Sequence, residues 1–551
     1  MVTDSRGQAG RLVAALRDAV AAAAGELAGR CTRDGRVSAT LLDDHQSLAY
    51  DVASAASAVT AAEALAAHAA EGDKRAADLA LVFAGDVAAD VRGRFSGREH
   101  LLGLDAQVFA DVAAELAASR DPALLEAVGS EVLATGEAAP RGLSDELEMV
   151  RQTFRRFAEE RVMPVAEEVH RNDEDIPESV IAGLAELGCF ALSIPEEYGG
   201  FSDGGPDELL NMVLVTEELS RGSLGVAGSL ITRPEIIGTA ILKGGTEEQK
   251  ARWLPRIASG ERMCAVAVTE PDVGSDVAGV KLTATRDGDD WVLDGVKTWC
   301  TFAGRAEYLL VLARTDPDRS AGHRGLSLFV VEKEAFAGHA WRAEQDGGGV
   351  IDARAIPTLG YRGMHSFEVS FDGWRVPADA VIGGDDGLGR GFYLQMQAFA
   401  NARLQTAARA QGVMQAALEE AVTYAGQRHV FGAPLGTYGL TRVKVARMAA
   451  RLAACRALAT EVARKLARGD DDAALVASQV KQLACRVAEE VTREAQQLHG
   501  GYGYAEEYPV SRLFVDARVL SIFEGADEVL ALKVIARSLL EGVRPTPVER
   551  S

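Results

Sequence analysis

The six cysteines of these 551 residues form no CxxC pair, and none stands at metal-ligand spacing from a histidine. A disulfide framework and a cysteine-based metal site are therefore not expected, and the isolated thiols point to a reducing, cytoplasmic compartment. Positive charge is scarce as well. Against 81 Asp and Glu stand 58 Lys and Arg, a formal net charge of -23. Nucleic acid and anionic membrane surfaces, which require a basic face, are poor partners for such a chain. An anionic ligand must be met by cations placed locally. Long apolar runs are also missing, and no segment approaches the ~18 residues of a membrane span. The Ala-rich N-terminus is broken at helical intervals by Asp4, Arg11, Arg17, Asp18 and Glu26. That pattern reads as an amphipathic helix, and no secretory signal is expected.

What is present is a chain that is 48% hydrophobic, enough for a large core spread over two to four domains. Residues 1–140 are dominated by Ala, Leu, Val and charged residues, have no clear strand run, and read as a helical N-terminal extension without chemical motifs. The stretch from Thr135 to Pro140 reads as a linker. Residues 141–260 are helical again, with Leu147, Val150, Phe154 and Phe157 on one face after Ser144. Glu217 to Pro234 reads as a glycine-loosened helix. Between 261 and 385 the period changes to short apolar or alternating runs, Cys264–Val268, Leu282–Thr285, Trp291–Leu293, Tyr308–Leu312 and Leu326–Val331, separated by turns, so a β domain is expected. From 386 to 551 the helical period returns, and four long helices suit a bundle. The whole is an α+β architecture, mostly α, with segregated elements.

The stretch from Phe514 to Leu540 holds the most suggestive chemistry. A helical period is interrupted at Glu524-Gly525, and Asp527 can cap a second helix. Glu524, flanked by Ile522 and Phe523, faces partial desolvation, which would raise its pKa and make it a usable base. The same residues also read as a helix-terminal carboxylate in water.

IFEG, preceded by HGGYGYAEEYPVSRLFVDAR, resembles the C-terminal signature of the acyl-CoA dehydrogenase flavoproteins, and the resemblance runs from about Leu143 to Leu540. It implies the family's N-terminal α domain, middle β domain and C-terminal four-helix bundle, here preceded by the extension. It also implies FAD as cofactor, an acyl-CoA thioester as substrate, an electron-transfer flavoprotein as electron acceptor, and Glu524 as catalytic base. Thr269-Glu-Pro-Asp-Val-Gly-Ser275-Asp resembles the family's TEP..GSD motif, which assigns Val268 and Thr269 to the flavin ring and Ser275 to the pyrophosphate or pantetheine. Lys297-Thr-Trp299-Cys-Thr301 resembles K.W.T, placing Trp299 and Thr301 against the flavin, although Trp299 also reads as core. Arg428 and Phe431 resemble the R..FG loop that reaches the FAD of a partner subunit. Gln497, Gly500 and Gly501 resemble an adenosine-contacting loop, and together these imply a homodimer, or a homotetramer. Arg403 matches an Arg near bound CoA. Ala400 stands where relatives are often acidic, and Ala526 where many have Thr.

Likeness at TWCTFAGR, GYRGMHS and ARLQTAARA points within the family to a short, branched dicarboxylyl-CoA. Its free carboxylate needs a cation. Arg221 resembles the arginine that meets this group in glutaryl-CoA dehydrogenases and also reads as a surface arginine, with Arg233 in reserve. A generic short-chain or glutaryl-type dehydrogenase, an oxidase, a monooxygenase and a non-catalytic acyl-CoA or flavin binder are the other readings.

Overall fold

The computed structural model describes residues 4–69, 73–105 and 107–543, so the outermost residues of the expected extension and bundle, 1–3 and 544–551, lie outside the described residues. Two compact units emerge. One combines residues 1–146 with 406–551, and the other spans 147–405.

In the first unit the extension forms the helices Ser5–Cys31, Gln46–His68, Lys74–Phe95 and Pro122–Thr135. Although no strand was expected in the extension, Thr32–Arg33 pairs with Arg36–Val37 in a tiny hairpin, turned by Asp34 and Gly35 at positive φ. The C-terminal segment supplies Gly439–Arg468, Ala473–His499 and Pro509–Leu520, together with the latter part of Gly391–Gln427. Extension and C-terminal helices share one core. Ser57 donates to Gln482 at 2.8 Å, and Asp86 pairs with Arg447 at 3.2 Å. At Gly129 a Cβ would stand 2.1 Å from the Arg442 carbonyl oxygen, so only glycine lets the helix Pro122–Thr135 approach the backbone of Gly439–Arg468 this closely.

The second unit contains the helices Met163–Asn172, Glu178–Glu186, Glu208–Gly222, Thr232–Gly244 and Glu247–Ala258, and an eight-stranded sheet. Strands follow the order Cys264–Ala267, Tyr308–Arg314, Thr283–Asp287, Asp290–Thr301, Ser366–Pro377, Val350–Ile356, Ala340–Glu344, with Leu326–Glu332 pairing Tyr308–Arg314 off this path. Every residue of Tyr308–Arg314 is buried, which explains why its run is apolar from Tyr308 to Ala313 rather than alternating. This strand is evident from its apolar run, whereas the last three in the order, whose exposed faces carry charge, are not. The segment expected as one loosened helix is two, broken where Ser223 adopts extended backbone (φ -166°, ψ 129°) and followed by a wide turn at Leu224–Gly228. Glycines 387 to 391 lead straight into the helix Gly391–Gln427. No described helix is long and apolar enough to cross a membrane.

Candidate active site

Glu524 lies in the turn between Pro509–Leu520 and the helical segment beginning at Asp527, with φ +53° followed by Gly525 at φ +101°. A left-handed glutamate is costly, and such strain persists where surrounding contacts over-determine it. Those contacts are present. Arg409 Nη2 lies 2.5 Å from Glu524 Oε2 and 2.7 Å from Thr406 Oγ1, and the Thr406 hydroxyl donates to the same carboxylate oxygen. Arg409 is 0% exposed, and its guanidinium carbon lies 4.7 Å from the centre of the Phe523 ring. Lys481 Nζ, whose proton affinity burial lowers, donates to Gly525 O at 2.6 Å. The Glu524 side chain is 13% exposed, so the expected partial desolvation of its carboxylate is present. Ile522 is 54% exposed and Phe523 packs under the Arg409 guanidinium, so the shielding comes from Arg409, Thr406 and Phe523 more than from Ile522. Asp527 does not cap the second helix. Its carboxylate accepts instead from Tyr50 OH at 2.6 Å, a tether from the extension.

In the second unit the TEP turn and the K.W.T strand are bolted together. Lys297 Nζ, fully buried, donates to Val268 O at 3.0 Å and pairs with Glu270 at 2.9 Å. Glu270 also accepts from the backbone of Lys281 and Leu282, and Thr298 N donates to Thr269 O. This scaffold leaves Val268 and Thr269 half-buried and Ser275 exposed. Trp299 is 55% exposed at φ +57°, which excludes its reading as core. Thr301 is buried with its hydroxyl 2.9 Å from Ser366 Oγ. Phe302, Tyr361 and His365 also have positive φ, and Phe302 N donates to Met364 O and His365 O. Several strained residues thus gather around the end of one strand, as functional sites often require.

The R..FG loop is a two-residue hairpin. His429–Val430 pairs with Ala433–Pro434, and Phe431 (φ +48°) and Gly432 (φ +86°) make the turn, both left-handed as a type I′ turn demands. Phe431 is 99% exposed at its tip, and the Arg428 guanidinium lies 5.9 Å from the Tyr502 ring centre. Gln497, Gly500 and Gly501 are exposed at the end of Ala473–His499. Gly500 is needed for its own backbone (φ 60°, ψ -135°), whereas a Cβ at Gly501 would meet nothing in the chain. Arg403 is mostly buried, and desolvation lowers its proton affinity.

Arg221 does not fit the role of a cation awaiting a substrate carboxylate. It is buried, paired with Glu218 at 3.0 Å and with Glu159 at 2.8 Å, and Glu218 is 0% exposed. Its charge is already matched by protein carboxylates. Arg233 is buried too, donates to Ser229 O at 2.9 Å, lies 6.0 Å from the Tyr361 ring centre, and has no carboxylate within 4.0 Å among the described residues.

Arg409, Thr406, Lys481, Lys297 and Glu270 escaped sequence reasoning as site residues. The spacing of Thr406 and Arg409, one helical turn apart on an otherwise apolar face, was their available signal.

Models of the acyl-CoA dehydrogenase N-terminal, middle and C-terminal domains match residues 144–261, 265–374 and 389–540. A (2S)-methylsuccinyl-CoA dehydrogenase from Cereibacter sphaeroides is 46% identical over 401 residues, covering 73% of this chain and 70% of the relative. A 3-(aryl)acrylate reductase from Clostridium sporogenes is 35% identical over 399 residues, 72% of this chain and 99% of that protein. Among solved structures, butyryl-CoA dehydrogenase from Megasphaera elsdenii is similar at a TM-score of 0.66 and 31% identity, over 73% of this chain and 100% of that one.

Proposed function

The chain belongs to the acyl-CoA dehydrogenase family of oxidoreductases, and from that premise we propose that it oxidises a short, branched dicarboxylyl-CoA thioester, (2S)-methylsuccinyl-CoA, to the α,β-unsaturated product. The observation that carries the reaction class is Glu524, a carboxylate locked on a left-handed turn by Arg409, Thr406 and the Lys481 contact to Gly525. The 46% identical relative supports the substrate.

Glu524 removes the α-proton. Its rigid turn fixes the carboxylate's direction, so little orientational freedom is lost in the transition state. Its backbone N–H, with φ fixed at +53°, is the donor assigned to the thioester oxygen, where negative charge develops as the proton leaves.

The residues present fit FAD. An exposed tryptophan on strained backbone, the half-buried Val268 and Thr269 held by Lys297 and Glu270, and the exposed Ser275 offer a stacking face and hydrogen-bonding groups that the chain's own packing does not consume. When bound, FAD supplies the acceptor for the β-hydride. We assign Val268, Thr269, Ser275, Trp299 and Thr301 to its flavin and pyrophosphate end. Arg428, Phe431, Gln497, Gly500 and Gly501 take the adenosine end across a homodimer, and Arg403 and Ser275 the CoA. An electron-transfer flavoprotein is the proposed acceptor of the electrons.

Glu524→Gln preserves shape and removes the base, so FAD and thioester binding should persist while turnover falls by several orders of magnitude. Near-wild-type turnover would sink the mechanism. A panel of butyryl-, isovaleryl-, glutaryl- and (2S)-methylsuccinyl-CoA tests the substrate, with the last expected to give the highest kcat/KM.

A further inference from the structure

A guanidinium in contact with a general base has a chemical cost. It stabilises the ionised carboxylate and so weakens its pull on the substrate proton. With a neutral acyl chain, the only return for that cost is the rigidity Arg409 gives the Glu524 turn. A four-carbon dicarboxylyl thioester changes the balance, because its free carboxylate is bonded to the β-carbon, next to the carbon that loses its proton. A base within roughly 3 Å of the α-carbon, the near-attack distance, meets that second carboxylate at roughly 4–6 Å. Two ionised carboxylates this close repel, and one takes up a proton unless a cation joins them. A protonated Glu524 cannot act as the base.

Arg409 touches the base directly. Its Nη2 is 2.5 Å from Glu524 Oε2, Thr406 Oγ1 fixes the same nitrogen at 2.7 Å, and the Phe523 ring backs the guanidinium at 4.7 Å. The nearby Lys481 ammonium is directed instead at Gly525 O. Resting on the dicarboxylyl reading above, we propose that Arg409 is the cation shared by Glu524 and the free carboxylate of the substrate, and so determines specificity for a second carboxylate beside the base. A guanidinium presents five N–H donors in a planar fork, which lets it serve two carboxylates at once. Drawing part of that interaction to the substrate also returns basicity to Glu524 when the right thioester is bound.

Arg409→Met, Arg409→Lys and, for comparison, Arg233→Met are assayed with methylsuccinyl-CoA and butyryl-CoA, and affinities for mesaconyl-CoA and crotonyl-CoA are titrated by calorimetry. Arg409→Met should lower the ratio of kcat/KM for the dicarboxylyl over the neutral substrate at least about 100-fold, the scale of a desolvated charge losing its partner. Affinity should fall for mesaconyl-CoA much more than for crotonyl-CoA. The acid limb of the butyryl-CoA pH profile should move to higher pH, since Glu524 without its cation takes a proton more readily. Arg409→Lys keeps the charge but not the fork, so its ratio should fall about tenfold or more, and it decides the question if the Met variant does not fold. A ratio within about threefold of wild type in both Arg409 variants overturns the proposal. Loss of the ratio in Arg233→Met instead assigns the carboxylate to Arg233 and leaves the dicarboxylyl reading standing. A wild-type preference for butyryl-CoA removes that reading itself, and this proposal with it.

Discussion

Strained backbone marks the residues that sequence motifs had singled out. Eight non-glycine residues among those described have positive φ, and Trp299, Phe431 and Glu524 are three of them. Each such conformation costs on the order of 1–3 kcal/mol, so the surrounding contacts must hold it. Two residues before Trp299, Lys297 ties the strand to the TEP turn, its ammonium buried between Val268 O and Glu270 and its proton affinity lowered by desolvation. Lys297→Met should therefore do more than remove one bond. It leaves the Glu270 carboxylate, 5% exposed, with only the backbone N–H groups of Lys281 and Leu282 and no counter-charge, and breaking such a pair costs roughly 3–5 kcal/mol. Denaturant unfolding should show that loss, together with a lower flavin-to-protein ratio in the purified variant.

At the scale of elements, the turn carrying Glu524 is held from three sides: by Arg409 on Gly391–Gln427, by Lys481 on Ala473–His499, and through Asp527 by Tyr50 on the extension helix Gln46–His68. Burial and the neighbouring Asp527 carboxylate push the Tyr50 phenol up to about 12. A group whose folded-state pKa exceeds its unfolded value of about 10 contributes stability that is complete below pH ~10 and is lost as pH rises toward 12. Tyr50→Phe should thus cost about 1.5–3 kcal/mol at neutral pH, the worth of one hydrogen bond to a charged acceptor. The gap between variant and wild type should close between pH 10 and 12 in isothermal denaturation. A gap that stays constant over that range would mean the phenol is not held by Asp527.

For the whole molecule, the fully exposed Phe431 at the tip of a rigid two-residue hairpin is the sharpest pointer to a second subunit. An aromatic on strained backbone that touches nothing in its own chain is unstable surface unless something covers it. Phe431→Ser is expected to leave the fold intact and to weaken FAD retention, measured as flavin released on dilution. Sedimentation should find the wild type as a homodimer. A fully active monomer would remove the shared-site reading and leave Phe431 without an account.

Much of this architecture was legible because it is local. The period of 3.6 over the extension and bundle, the apolar run at Tyr308–Leu312, and the Gly525 break each arise from neighbouring residues. Family motifs likewise lie within a few residues of one another. What tertiary structure decided was every pairing across long separations. Arg409 reaches Glu524 over 115 residues, Lys297 reaches Glu270 over 27, and Tyr50 reaches Asp527 over 477. The same holds for Arg221, whose residue type suits a substrate carboxylate but whose charge Glu159, 62 residues away, and Glu218 already neutralise. A charge's availability depends on what folding brings within a few ångströms of it, because Coulomb attraction and desolvation act through space and ignore chain order.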